Sequence, residues 1–108
     1  ELVFISPADA AEALKSGAAR FLDVRTREEF EAVCIEGSQL FSQDLLQEIM
    51  AHCPKDTLLV LVDHTGTRTL DAAAYFAGHG FQNVKALRGG IDAWSCEVDP
   101  NLPRYTTE

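Results

Sequence analysis

The sequence predicts a single α/β domain of three layers, with a central, mostly parallel five-stranded sheet and helices on both faces. Three observations carry this prediction. Short apolar runs alternate with amphipathic stretches from end to end, the pattern of parallel strands joined by crossover helices. One run, "TLLVLV" (57–62), is continuously apolar, as a strand covered on both faces must be. The length, 108 residues, suits one compact domain with its own core.

The elements follow in order. "LVFIS" (2–6) reads as a short strand. Ser6 is a good N-cap and Pro7 a good first helical residue, so "PADAAEALKSG" (7–17) is a helix stopped by Gly17. "ARFLDV" (19–24) is the second strand, with polar Asp23 and Arg25 at its end. Thr26 and Glu29 have capping-box spacing and open the short helix "REEFEA" (27–32). "CIEGSQLF" (34–41) holds a turn at Gly37 and a brief strand. "SQDLLQEIMAHC" (42–53) starts from a Ser cap and places Leu45, Leu46, Ile49 and Met50 on one helical face. After the central strand (57–62), "RTLDAAAYFAGHG" (68–80) is a helix closed by glycines. "VKAL" (84–87) is the last strand, "GGIDAW" (89–94) a short helix, and the rest an irregular tail containing proline.

Composition narrows the function classes. Apolar residues make up 46% and charged residues 24%, an ordinary globular profile, and no apolar run is long enough to span a bilayer. The formal net charge of -8 argues against nucleic acid or an anionic membrane as the main partner, since both need a basic footprint. Cys34, Cys53 and Cys96 are odd in number and lack the short spacing of a zinc site, so no metal or other cofactor is expected. Free thiols fit a reducing, cytoplasmic setting. The first residue is Glu1, with no initiator Met, so the expectation is a domain, 1–108, excised from a longer chain.

In parallel sheets, sites form outside the carboxyl ends of the strands. Asp23, Arg25, Asp63 and Arg88 all follow directly on apolar strands. The loop "DHTGTRT" (63–69) runs from the central strand into a helix. Loops of this kind turn their backbone N–H groups inward around a small concavity, backed by the positive end of the helix dipole. His64, Thr65, Gly66, Thr67, Arg68 and Thr69 form the candidate anion-binding loop. Gly66 allows a backbone angle closed to other residues, Arg68 adds a fixed positive charge, and His64 can contact a partner or an anion when protonated. Asp63 then has two readings: a nucleophilic carboxylate, or a carboxylate that fills the concavity and caps the helix, worth about 0.5–2 kcal/mol.

The motif resembles those of two families. "DHTGTRT" resembles the Asp-Lys-Thr-Gly-Thr-Leu-Thr phosphorylation motif of P-type ATPases, which implies an aspartyl phosphate at Asp63 and a need for Mg²⁺. Here His64 replaces the Lys and Arg68 an aliphatic residue, and neither Asp71 nor Asp92 follows a glycine as that family's metal-holding motif requires. The second resemblance covers the whole chain. "FLDVRTREEFEAVCIEGSQLF" (21–41) resembles the N-terminal signature of rhodanese-like domains, and "LRGGIDAW" (87–94) their C-terminal one. Between them, "DHTGTRT" falls where that family carries Cys-x-x-Gly-x-Arg-Ser/Thr. Gly66, Arg68 and Thr69 match, and Asp63 stands in place of the Cys.

That second resemblance implies a sulfurtransferase fold. In the family, the Cys takes a sulfane sulfur from a donor such as thiosulfate, forms a persulfide in the loop, and passes the sulfur to a nucleophile. The chemistry needs a soft thiolate. A carboxylate cannot hold a transferable sulfane sulfur, and its charge lies where the anionic donor would bind. The expectation is a domain without ordinary thiosulfate sulfurtransferase activity, acting as a binding or regulatory module in sulfur or thiol redox metabolism. The alternatives are sulfur transfer through another Cys, Asp63-based aspartyl-phosphate chemistry, or a plain anion sensor. Cys34, Cys53 and Cys96 are each expected to be inert or incidental thiols; Cys34, in a turn that can approach the active face, is the most plausible exception.

The remaining signature residues have structural readings. Arg25 and Glu29 are expected to form an exposed pair tying strand end to helix start, and Asp23 to bond nearby backbone amides. Trp94 is expected in the core, and Gly89 and Gly90 in a tight turn. The closing stretch 89–105 resembles rhodanese domains that follow a glutaredoxin-like domain in one bacterial chain, which implies a fused glutaredoxin-like or other redox domain as partner.

Overall fold

The computed structural model describes residues 3–63 and 70–99. In chain order the elements are β1 (Val3–Ile5), α1 (Pro7–Ser16), β2 (Ala19–Asp23), α2 (Arg27–Ala32), β3 (Gln39–Leu40), α3 (Gln43–His52), β4 (Leu58–Val62), α4 (Leu70–Gly78), β5 (Asn83–Leu87) and α5 (Gly90–Glu97). The strands form one sheet in the order β1-β5-β4-β2-β3. Every adjacent pair is parallel, so the predicted mostly parallel sheet is parallel throughout the described residues.

Alternation along the strands builds two cores. Phe21, Val60 and Val62 face one side, where Ala10 of α1 and Ile91 and Trp94 of α5 cover them. Leu22, Leu59 and Leu61 face the other, under Ile49 of α3 and Ala73 and Phe76 of α4. The central run 58–62 is apolar at every position because it feeds both layers. Phe21 meets Trp94 edge to face at 5.4 Å between ring centroids, and Phe76 meets Phe81 in the same way at 5.5 Å.

The helix starts follow their local chemistry. The Ser6 hydroxyl accepts from the Asp9 N–H at 3.2 Å with Pro7 in the first turn, and Gly17 ends α1 in the left-handed region at φ 76°. Thr26 and Glu29 form the full capping box, and Ser42 caps α3 through the Leu45 N–H. One helix end differs from expectation. α5 continues past Trp94 to Glu97, because Trp94 and Ser95 are buried and Val98 packs on the same core, so a further turn gains contacts. The predicted start of the fourth helix at 68 lies outside the described residues. Among the described residues no helix is long and apolar enough to cross a membrane.

Candidate functional site

A wholly parallel sheet brings the carboxyl ends of its strands to one edge. β2 ends there in Asp23, β4 leads into Asp63, and β5 into Arg88. Backbone hydrogen bonds tie this edge together. The Val24 N–H donates to the Val62 carbonyl at 2.8 Å, the Arg88 N–H to Ile5 at 2.9 Å, and the Phe41 N–H to Asp23 at 2.8 Å. The Ile91 N–H, in the first turn of α5, donates to the Asp63 carbonyl at 2.8 Å. The backbone at position 63 is therefore held from the α5 side, while its neighbour Val62 is held from β2. Asp63 is only 1% exposed. His64, Thr65, Gly66, Thr67, Arg68 and Thr69 lie outside the described residues, and Arg88 is exposed.

The structure corrects the expected roles of Asp23 and Arg25. Arg25 is buried, and its guanidinium grips Asp23 as a fork. Nε donates to Oδ1 at 2.8 Å and Nη2 to Oδ2 at 2.6 Å, with both side chains fully buried. The same Nη2 donates to the Val33 carbonyl at 2.7 Å, just beyond α2. Arg25, expected in an exposed pair at the surface, is instead buried and paired with Asp23. Asp23 does accept one backbone amide, that of Arg25 at 3.0 Å, so its expected role is met in part. Glu29 reaches back to the Thr26 N–H at 3.0 Å. A signal for the buried pair was present in the sequence: residues two apart on an extended chain share a face.

Gly89 and Gly90 form the expected tight turn, both at positive φ (75° and 64°). At Gly89 a Cβ would also lie 2.6 Å from the Ala93 side chain, so only glycine fits. Trp94 is 5% exposed and belongs to the core. The three cysteines are free and lie apart. Cys34 is half-buried and follows Val33, whose carbonyl Arg25 holds at the carboxyl edge. Cys53 ends α3 at the opposite, amino end of the sheet, where the Arg20 guanidinium is held above its usual range, first by a hydrogen bond to Glu48 and to a lesser degree by Cys53. Cys96 is exposed in the last turn of α5. Among the described residues no group of three or more His, Cys, Asp or Glu is placed to hold a metal ion.

A model of the rhodanese-like domain matches residues 6–97. The chain belongs to the rhodanese-like domain family. It is 36% identical over 90 residues to a thiosulfate sulfurtransferase GlpE of Ectopseudomonas mendocina, covering 83% of this chain and 82% of that protein. It is 35% identical over 104 residues to a probable adenylyltransferase/sulfurtransferase MoeZ of Mycobacterium tuberculosis, covering 94% of this chain but only 26% of that protein. A rhodanese-related protein of Thermoplasma volcanium superposes with a TM-score of 0.73 at 26% identity, over 95% of this chain and 99% of its own. A human single-domain sulfurtransferase gives a TM-score of 0.73 at 23% identity, over 90% of this chain and 98% of its own, a likeness of fold. The fold is thus that of rhodanese-like domains, and the buried edge around Asp23, Arg25 and Asp63 is the region to interpret chemically.

Proposed function

We propose that this rhodanese-like domain does not transfer sulfur from thiosulfate and serves as a binding or regulatory module in sulfur or thiol redox metabolism, with a redox domain as its partner. The observation that carries this reading is Asp63: a carboxylate, 1% exposed, on the residue directly after β4, at the place the family resemblance gives to the nucleophilic Cys. Sulfur transfer needs a polarisable thiolate that can form and release an S–S bond. A carboxylate oxygen makes no such bond, and it occupies the position from which a thiolate would attack the donor. The placement of Cys53 at the far end of the sheet and of Cys96 on the outside of α5 supports the same reading. The resemblance of residues 89–105 to domains joined to a glutaredoxin-like unit supports the choice of partner.

One observation favours a second reading, sulfur transfer through Cys34: this half-buried thiol adjoins the Val33 carbonyl at the carboxyl edge. A thiosulfate:cyanide assay separates the two. The proposal expects thiocyanate formation at the uncatalysed background, unchanged in Cys34→Ser. A clear wild-type rate that disappears in Cys34→Ser would replace the first reading with the second.

A further inference from the structure

We infer that Asp23 and Arg25 act together as positioning residues for the side chain at position 63. The inference rests on Asp63 marking the functional site, but it holds whether or not the domain transfers sulfur. The first support is the cost of the pair. Both side chains are fully buried, and a buried ion pair gains little over a well-packed apolar pair because desolvation offsets attraction. The layers on either side are built from apolar residues, so stability alone gives no reason for two charges here. The second support is placement. Asp23 is the register partner of Val62, the residue before Asp63, and the adjacent Val24 N–H holds the Val62 carbonyl. The third is direction. One guanidinium binds both the Asp23 carboxylate and the Val33 carbonyl, joining the end of β2 to the segment that leaves α2. A planar fork satisfies both acceptors in one orientation only, which a lysine cannot reproduce. The strand end beside position 63 is thereby fixed in two directions.

The test places a chemical reporter at the site. Asp63→Cys is introduced into three chains: one otherwise native, one with Arg25→Lys, and one with Asp23→Leu together with Arg25→Met. The lysine keeps the charge and loses the fork. The double change removes both charges and leaves neither uncompensated, so it spares the fold. Alkylation of the introduced thiol by iodoacetamide is followed across the neutral range, with peptide mass spectrometry separating it from Cys34, Cys53 and Cys96. Thermal unfolding reports whether each chain is folded. The expected result is two folded variants whose introduced thiol reacts about tenfold more slowly at neutral pH, with the pH profile displaced upward by about one unit. If only one variant folds, its profile decides. An unchanged profile in a folded variant would overturn the inference, and so would unfolding of both, because the pair would then be a stability element. Alkylation needs no persulfide, so a failure here is distinct from a failure of the functional reading.

Discussion

At the amino end of the sheet, Arg20 reaches Glu48 of α3 at 3.0 Å and Gln39 of β3 at 2.9 Å, with the Arg20 and Glu48 side chains 26% and 47% exposed. At the carboxyl end, Asp23 and Arg25 meet at 2.6 Å with neither exposed, and buried Asp63 leaves the neighbouring strand. The chemistry of the two pairs is the same, and their surroundings differ. Water screens the first pair, so it adds little and could be lost cheaply. The second has given up its hydration, so each charge depends on the other. Buried charge gathers at one end of this sheet, the end where parallel α/β sheets carry their sites.

Substitutions at the two ends sharpen this contrast. The largest loss of stability is expected from Arg25→Met, which leaves the Asp23 carboxylate buried without its ionic partner and costs about 3–5 kcal/mol. Urea unfolding measures it, and a cost no greater than at Arg20 would erase the distinction between the two ends. A smaller loss is expected from Gly89→Ala at the carboxyl edge. The left-handed backbone and the clash with Ala93 together cost about 1–3 kcal/mol, read in the same experiment. The smallest belongs to Glu48→Gln. Arg20 hydrogen-bonds the Glu48 carboxylate and holds its pKa below the ordinary glutamate value. A depressed carboxyl stabilises the fold above that ordinary value and loses its contribution as the pH falls through the folded one. The thermal midpoint of Glu48→Gln should therefore lie slightly below wild type at neutral pH, and the gap should close in acid. A gap that widened in acid would show the sign to be wrong.

What the sequence made legible was local. Ser6, Thr26 with Glu29, and Ser42 announced their helices because a cap needs partners within three residues. The run 57–62 announced the central strand because burial on both faces leaves no room for a polar residue. Asp23 and Arg25 were legible as site-edge residues but not as partners of each other. Their spacing of two allows the pairing on an extended chain, but it does not show that both side chains are buried, and the nearby capping box offered Glu29 as a competing partner. The last turn of α5 is not legible because Ser95 and Cys96 carry no strong helical signal, while buried Trp94 and partly buried Val98 packing on the core supply the reason to continue. Asp63 is legible as the residue following the central strand. Its burial is a tertiary property that spacing does not give: it is 1% exposed, and the Ile91 N–H of α5 holds its carbonyl.

The most direct measurement is the thiosulfate:cyanide rate of the wild type beside that of Asp63→Cys. The account predicts background for the wild type and a gain of at least about 100-fold in the variant, since a missing nucleophile alone costs enzymes several orders of magnitude. A wild type that already turns over, with no gain on placing sulfur at position 63, would contradict it.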